Sequence, residues 1–470
     1  MEAHGKATGG SFMTRAKIVG GALATLLVLL ALAAGRQNRE HDVGPAEATP
    51  PAANPTSSTA AALEAHLYGR VTIDDGTVYE GRLRWGGDEE ALWGNYFDGV
   101  KDENPWAAKV QRELLMEPQP IEILGVEIAG TEREIDLGRP FMARFGDIAR
   151  IDAHGRGLSV TLKSGTVFDL DRFSADDLAD GVRVWDGRRG VVDFDEWRIR
   201  TIELLSTARQ DAAPDLLHGT VRTRDGDFTG FVQWEREQCL GSDVLDGHTA
   251  DGKLSLPFDT IQHIARRSPD SALVTLLDGR EIVLSDTRDG GQGDRGIYVD
   301  DQRYGRVLIS WDAFERIDFS PGGPGPGYDD FPPGQPLTGS VITRSGRQLA
   351  GRLVYDLDER ESTETFDAPS EGVDYTIPFG LIASIVLPGV EARDAPRARV
   401  TLYGGEELQL ERSGDLGEGN AGMLIFQGGQ ERPEYVPWTD VAEVDFDRPP
   451  EMYPPDVRSR SRAEQPRHQP

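Results

Sequence analysis

The stretch YGRVTIDDGTVYEGRLRW, residues 68–85, has the alternating pattern of a β-hairpin. Apolar and polar residues alternate along it, and Asp75-Gly76 separates the two alternating runs. A strand places successive side chains on opposite faces, and glycine readily adopts the positive φ that a tight turn requires. The stretch therefore predicts two antiparallel strands joined by a turn at Gly76.

The hairpin pattern occurs three times in the chain. Its markers are three glycines at nearly fixed spacing, each set followed by an aromatic residue four positions later. The sets are Gly69, Gly76, Gly81 and Trp85; Gly219, Gly226, Gly230 and Trp234; and Gly339, Gly346, Gly351 and Tyr355. Recurrence at fixed spacing is the sequence signature of a repeat architecture.

A second pattern follows each hairpin and consists of apolar residues spaced by three. The sets are Phe145, Ile148 and Ile151; Phe258, Ile261 and Ile264; and Phe379, Ile382 and Ile385. This spacing suits one 3₁₀ turn that places two side chains in a core before a strand. A valine five residues before a glycine also recurs, at Val71, Val160, Val221, Val274, Val341 and Val400. Together these patterns predict six half-repeats of roughly 55 residues, arranged as three pairs.

The run V-x-I-x-D-G-x-V-x-x-G-x-L at residues 71–83 resembles the first motif of Sm-like small barrels and, more loosely, SH3-like barrels. Residues 341–353 repeat it. The resemblance implies strongly bent, five-stranded antiparallel barrels. The expected fold is therefore all-β, a tandem array of six small SH3-like or Sm-like barrels in three pairs. The Sm-like RNA site is not carried over, because the sequence has no second Sm motif.

An uncharged apolar run at residues 18–34 follows a basic N-terminus. Its length is at the lower limit for a membrane-spanning helix and slightly long for a signal-peptide core. Two alternatives remain open: an uncleaved inner-membrane anchor and a cleaved signal that releases the protein. In both, the basic flank predicts a cytoplasmic N-terminus and a periplasmic or extracytoplasmic remainder.

These patterns predict the following organisation along the chain. A cytoplasmic N-terminus (1–17) and the anchor or signal (18–34) precede a disordered linker (35–65), barrel pair 1 (66–206, with an insertion at 100–138), barrel pair 2 (216–320), a Gly/Pro linker (321–336), barrel pair 3 (337–447) and a disordered tail (448–470). The insertion contains Trp106 and a helix-like stretch at 107–116. Insertions in repeat proteins often carry binding residues, and this one is such a candidate or a cap over the first barrel.

The net charge disfavours nucleic acid as a partner. The chain has 50 basic and 80 acidic residues, a formal net charge of −30, whereas phosphate binding requires a concentrated basic surface. The single cysteine, Cys239, cannot form an internal disulfide, so stability must come from the cores.

Acidic runs after each aromatic marker are the candidate metal ligands. Crowded carboxylate oxygens on one loop could bind Ca²⁺, and the candidates are Asp243, Asp246, Glu364 and Asp367. The alternative is a solvated hairpin loop, because no run has the regular ligand spacing of a known calcium loop. No other cofactor is predicted.

Three tryptophans are candidate binding residues. Trp85 and Trp234 end a strand beside an acidic loop and could stack on sugar rings, although core packing is the alternative; Trp106 lies in the insertion. No nucleophile or acid–base pair stands at a recognisable spacing, so we predict no catalytic residues and no enzyme activity. The expected function is an exported, membrane-anchored binding or scaffolding protein of the bacterial envelope, with an envelope protein or polysaccharide as partner. The alternative is a carbohydrate-active hydrolase or carbohydrate-binding protein that uses acidic and aromatic loop residues.

Overall fold

The computed structural model describes residues 65–449 except 87–88, 124–125, 135–136, 138, 180, 208–214, 286–295, 323–324, 390–396 and 431. In this part the protein is built from antiparallel strands, and no helix has seven or more residues, which confirms the predicted all-β class. No helix among the described residues is long and apolar enough to cross a membrane. The predicted membrane segment at 18–34 lies outside them, as do almost all of the predicted linker (35–65) and tail (448–470).

The strands fall into three consecutive sets, which we call the first, second and third copy. The first contains β1 (Tyr68–Ile73), β2 (Val78–Trp85), β3 (Tyr96–Val100), β4 (Met116–Ile123), β5 (Val126–Glu134), β6 (Pro140–Arg144), β7 (Ile148–His154), β8 (Gly157–Leu162), β9 (Val167–Asp171), β10 (Val182–Asp186), β11 (Gly190–Phe194) and β12 (Ile199–Leu204). The second contains β13 (His218–Thr223), β14 (Asp227–Gln233), β15 (Val244–Thr249), β16 (Gly252–Pro257), β17 (Ile261–Ser268), β18 (Ser271–Leu276), β19 (Glu281–Ser285), β20 (Ile297–Asp301), β21 (Gly305–Ile309) and β22 (Phe314–Phe319). The third contains β23 (Thr338–Thr343), β24 (Gln348–Val354), β25 (Thr365–Ser370), β26 (Val373–Pro378), β27 (Ile382–Val386), β28 (Ala398–Leu402), β29 (Glu407–Leu410), β30 (Met423–Phe426), β31 (Glu434–Val436) and β32 (Val441–Phe446).

Short helical turns connect the strands. Their bounds are Ala107–Lys109, Arg112–Leu115, Phe145–Asp147, Arg172–Ser174, Glu196–Arg198, Phe258–Thr260, Tyr328–Asp330, Phe379–Leu381, Gly414–Leu416, Gln427–Gly429 and Trp438–Asp440 for the 3₁₀ turns, and Asp176–Ala179 for one α-helical turn. The turns at Phe145, Phe258 and Phe379 confirm the prediction from the three-residue spacing, and all three phenylalanine side chains are buried.

The three copies share one strand order. It is β11-β10-β2-β1-β12-β7-β8-β9 in the first, β21-β20-β14-β13-β22-β17-β18-β19 in the second, and β31-β30-β24-β23-β32-β27-β28-β29 in the third. In each copy two further strands pair with each other: β3 with β6, across the insertion, β15 with β16, and β25 with β26; within the insertion of the first copy β4 also pairs with β5. Identical order in three places shows that the recurring sequence pattern is a recurring topology.

The predicted turn glycines behave differently in the three copies. Gly76 and Gly346 have φ of 83° and 81°, as predicted. Gly226 is not among the residues with positive φ, so the prediction is wrong there. That turn is closed by the Thr223 hydroxyl, which donates to the Gly226 carbonyl at 3.0 Å.

Within the described residues, none of the sheets closes into a barrel, so the prediction of six barrels is not confirmed. In the second copy, the strand at one end of the sheet pairs with the third copy instead of closing its own sheet. Strand β21 pairs with β26 of the third copy, with Arg306 opposite Thr376 and Val307 opposite Tyr375. The sheet of the second copy therefore continues into the third, and these two copies also share one hydrophobic core.

Asp300 is buried where the first and second copies meet. It lies on β20, and a side chain added at Gly94 of the first copy would collide with its carboxylate. Burial raises its pKa to about 7, against the opposing effect of the nearby Arg306 and Arg144 guanidinium groups.

We expect Asp300→Asn to stabilise the protein at alkaline pH. Because the folded-state pKa is raised, the protonated carboxyl stabilises the fold at low pH, and that stability is lost as the pH rises from about 4 through 7. The asparagine variant should therefore show a smaller decline in Tm between pH 4 and pH 8. Asp193→Asn is the control, since Arg183 lowers the pKa of this exposed carboxylate. If the Tm of Asp300→Asn declined between pH 4 and pH 8 as much as that of the wild type, the raised pKa of Asp300 would be refuted.

Candidate ligand-binding groove

A groove of about 1010 Å³ lies between the insertion of the first copy and the sheet of the third. It is lined by Trp106, Lys109, Thr338, Gly339, Ser340, Ala350, Gly351, Arg352, Phe426, Gly428, Gln430, Asp445 and Asp447. A cavity of this size is within the usual range of ligand sites. Of the predicted binding tryptophans, only Trp106 reaches it.

The insertion forms one wall of the groove with two 3₁₀ turns instead of the predicted helix at 107–116. The turns are interrupted at Val110, whose φ of −104° and ψ of 145° are extended. Leu115 packs against a small apolar cluster of the third copy that includes Leu357 and Phe426. Packing against this cluster, and not helix periodicity, thus fixes the backbone here.

Two basic residues anchor the insertion to the acidic loop of the third copy. The Lys101 ammonium group is 2.8 Å from Asp358 and 3.3 Å from Glu364, and Arg139 is 3.0 Å from Asp356. All five side chains are largely buried. The acidic loop, interpreted above as a metal site or a solvated loop, is therefore an internal docking surface in this copy.

The acidic loop carries more buried negative charge than its two cations neutralise. Burial raises the pKa of Asp356 to about 7 despite the nearby Arg139, and burial also raises the pKa of Asp358. Burial and neighbouring carboxylates raise the pKa of Glu359 and of Asp415. Loss of Lys101 would leave Asp358 and Glu364 buried without this positive partner, and loss of Arg139 would do the same to Asp356.

The same loop is held in an unfavourable backbone conformation. Asp356 and Leu357 have φ of 50° and 51°, a region that non-glycine residues rarely occupy. The loop of the second copy repeats this at Glu235 and Arg236. In the third copy the Leu357 carbonyl accepts a hydrogen bond from Asn104 of the insertion at 3.0 Å, so the insertion supports the strained turn.

Arginine and aromatic side chains surround Trp106. Its ring contacts Phe426 edge-on at 6.2 Å, and the guanidinium of Arg352 lies 4.0 Å from the centroid of the Phe426 ring. Arg352 and Arg360 lie 5.9 and 5.7 Å from the Trp106 ring. Burial and the neighbouring Arg360 lower the pKa of Arg352. Neither arginine forms an ion pair within the described residues, so their charge is available to an anionic group.

The other wall of the groove is acidic and polar. Asp445 lies on β32, and Asp447, two residues later, comes directly after the end of that strand. Both line the groove together with Thr338 and Ser340 of β23. Residues two apart on a strand project to the same face. The groove therefore combines an aromatic and cationic wall with a wall of hydrogen-bonding groups.

Trp85 and Trp234 do not reach a ligand surface. Both are fully buried, and Tyr355 is buried at the matching position of the third copy. Trp85 packs against Phe97 and Phe145, at centroid distances of 5.6 and 5.2 Å. Core packing, the alternative to sugar stacking, therefore describes both residues, because their side chains point into the core.

The four predicted metal ligands occupy two equivalent positions of the second and third copies. Asp243 accepts hydrogen bonds from the Cys239 and Leu240 amides at 3.0 and 2.9 Å. Glu364 accepts from the Arg360 and Glu361 amides at 2.6 and 3.0 Å. Both carboxylates therefore cap a turn.

The second pair lies on a strand. Asp246 is 3.3 Å from Lys253 and accepts a hydrogen bond from Ser255, and Asp367 accepts from Thr376 at 2.6 Å. In the part of the chain that the structure describes, no group of three or more His, Cys, Asp or Glu side chains could hold a metal ion. The four carboxylates are thus not brought together as a calcium site.

Sequence reasoning missed Lys101, Arg139, Arg352 and Phe426. Lys101 and Arg139 stand at the two ends of the predicted insertion, and basic residues at both ends of an insertion in an acidic chain are the signal that could have indicated docking. Arg352 and Phe426 carry no such signal, since both belong to ordinary strand patterns.

No family model, curated protein or solved structure matches the chain.

Proposed function

We propose that the protein is an exported, membrane-anchored binding or scaffolding protein of the bacterial envelope, and that its ligand binds in the Trp106 groove without turnover. The observation that carries this proposal is that Trp106 and Arg352 line the groove together, with Arg360 beside the Trp106 ring, and that neither arginine has an ion-pair partner among the described residues. An aromatic ring and planar guanidinium groups recognise flat or anionic groups by stacking and by bidentate hydrogen bonds.

The ligand class that fits is an anionic segment of an envelope polysaccharide or of an acidic envelope protein. Arg352 and Lys109 would contact its negative groups, while Thr338, Ser340 and Gln430 offer hydrogen bonds along the same groove. Because the protein has a net charge of −30, a local cationic patch also orients an anionic partner toward this one surface.

Binding to isolated envelope material tests the proposal. Lys109 is exposed, so Lys109→Glu leaves the fold intact. We expect the double variant Lys109→Glu, Arg352→Glu to bind about tenfold more weakly. Lys253→Glu is the matched control, because Lys253 is an exposed lysine of the second copy that does not line the groove. Binding should also weaken with added salt. Equal binding by wild type, groove variants and control would contradict the proposal.

A second candidate function is a carbohydrate-active hydrolase. The observation that favours it is the position of Asp445 and Asp447 in the same groove as Trp106, since glycoside hydrolysis uses two carboxylates beside a bound sugar. Incubation with a panel of envelope polysaccharides distinguishes the two. Reducing-end release that Asp445→Asn or Asp447→Asn abolishes would establish the hydrolase and overturn the non-catalytic proposal.

We also infer that each copy consists of two small barrels. The support is that the extra strand pair of each copy touches the end strand of its sheet: Lys101 bridges to Leu170, His248 pairs with Ser285, and the Glu411 amide donates to Pro369 at 2.9 Å. Each contact joins the strand pair to the strands β7–β9 or to their equivalents in the other copies, β17–β19 and β27–β29. Weak protection of these three contacts in hydrogen exchange, compared with their sheets, would argue against closed barrels.

A further inference from the structure

The three copies each contain a pocket at the same place. It lies where the first strand, the last strand and the phenylalanine 3₁₀ turn meet. Equivalence follows from identical hydrogen bonds: the amides of Leu67, Leu217 and Leu337 donate to Glu90, Cys239 and Arg360, and those of Gly146, Asp259 and Gly380 donate to Leu92, Gly241 and Ser362. The three pockets can therefore be compared residue by residue.

In the first copy a peptide segment of the same chain fills this pocket. The segment is Tyr328 to Phe331, from the Gly/Pro linker between the second and third copies. Phe331 is 2% exposed, and its ring lies so close to Gly146 that an added Cβ would be 2.6 Å from it. Trp93 packs against the same ring at 5.8 Å.

Polar contacts hold the segment in place. The Tyr328 hydroxyl donates to the Ile148 carbonyl at 2.8 Å. The Lys163 ammonium group donates to the carbonyls of Tyr328 and Phe331, the second at 3.1 Å. Peptides are commonly held by a buried anchor side chain together with hydrogen bonds to their backbone carbonyls. The first copy thus shows what this pocket accommodates.

The third copy covers its own pocket. Tyr403 occupies the position of Lys163, because its amide makes the equivalent bond to Leu381. Its hydroxyl donates to the Phe446 carbonyl, and Arg448 lies 5.3 Å from the centroid of its ring. The remaining cavity is about 260 Å³.

No segment among the residues that the structure describes fills the pocket of the second copy. Its cavity is about 430 Å³ and is lined by apolar side chains that include Phe258, Ile261 and Phe319. Leu277 occupies the position of Lys163 at its edge and is 68% exposed, the highest value among the large apolar residues that the structure describes. Asp215 and Asp259 also line the pocket and have no ion-pair partner in the described part of the chain.

We propose that the pocket of the second copy is a docking site for an extended peptide of a partner protein, with an aromatic anchor side chain next to basic residues. The aromatic anchor follows from Phe331 in the first copy. The basic flank follows from Asp215 and Asp259, which replace Ala65 and Gly146 of the first copy and give the pocket an acidic edge. This site is separate from the Trp106 groove and does not depend on its function.

A synthetic peptide tests the site on the full chain. The probe is residues 326–334 with Asp329→Arg and Asp330→Arg, labelled with a fluorophore and followed by anisotropy. We expect this peptide to bind saturably. Phe331→Ala in the peptide should abolish binding, and the peptide with the unmodified acidic sequence should bind at least tenfold more weakly. On the protein, Leu277→Ser and Asp259→Lys should each weaken binding about tenfold.

Val283→Ser is the matched control, since Val283 is a partly exposed apolar residue of the same copy outside the pocket. Equal affinities for wild type, Leu277→Ser and Val283→Ser, or no binding, would overturn the proposal. So would binding that appears only after removal of residues 450–470, which would identify the chain's own tail as the occupant. A concentration-dependent dimer that Leu277→Ser abolishes would likewise identify another molecule of this protein as the occupant and overturn it.

Discussion

Replacement of Lys101 by methionine is expected to lower the free energy of unfolding by about 3–5 kcal/mol. The Lys101 ammonium group lies between Asp358 and Glu364, at 2.8 and 3.3 Å, and methionine would keep most of its length while removing the charge. The buried carboxylates would then repel one another without compensation. Urea denaturation of the full chain at pH 8 measures the effect.

The loss should be smaller at pH 5 than at pH 8. Burial already raises the pKa of Asp356 to about 7 and that of Asp358 above its ordinary value, so without Lys101 both take up protons more readily. Stability contributed by a group with a raised pKa is present at low pH and is lost as the pH rises through that pKa. Arg183→Ala is the control, because its exposed pair with Asp193 contributes less than about 1 kcal/mol. An equal, small loss in both variants would contradict the docking role of Lys101.

The second large effect is expected from Trp234→Ala, which should cost about 3–5 kcal/mol of unfolding free energy. The Trp234 ring is fully buried and contacts Phe314 edge-on at 5.7 Å and Phe258 at 6.2 Å. Truncation would remove these contacts and leave a cavity in the core that the second and third copies share. Thermal and urea unfolding of the full chain measure the change.

Trp197→Ala is the comparison for this prediction. Trp197 is 61% exposed, so its replacement should change stability by less than about 1 kcal/mol. If Trp234→Ala were as stable as wild type, the ring would not be a core residue, and the hypothesis that it stacks on a sugar would regain support.

The repeat could be predicted from sequence because local rules produced it. Turn glycines such as Gly76 and the apolar residue three positions before Ile148 act on their own neighbours, and both recur wherever the same local structure recurs. The all-β class and the 3₁₀ turns at Phe145, Phe258 and Phe379 followed from such spacings. Alternation of polar and apolar residues correctly identified the hairpins.

Contacts between copies could not be predicted in this way. Pairing of β21 with β26 needs no special side chain, because backbone groups at a sheet edge pair with any extended partner. The burial of the acidic loop depended on Lys101 and Arg139, more than 200 residues away in sequence from their partners. For the same reason the sequence of the loop at Asp356, considered alone, predicts a solvated or metal-binding loop.

The assignment of Trp106 as a binding residue stays a prediction, but the structure gives it a specific setting. Its position depends on the insertion, and the insertion is held by buried ion pairs to the third copy. The groove therefore exists only if the first and third copies are docked.

Hydrogen–deuterium exchange of the wild-type chain and the Lys101→Met variant tests whether the groove depends on docking of the first copy to the third. We predict that the variant exchanges faster in two separate segments, residues 104–115 of the insertion and residues 355–367 of the third copy, while β7–β9 and β27–β29 keep their protection. The two segments should respond together because each forms one wall of the same docked interface. Faster exchange in the insertion alone, with residues 355–367 unchanged, would show that the two walls are independent and would contradict the dependence of the groove on docking.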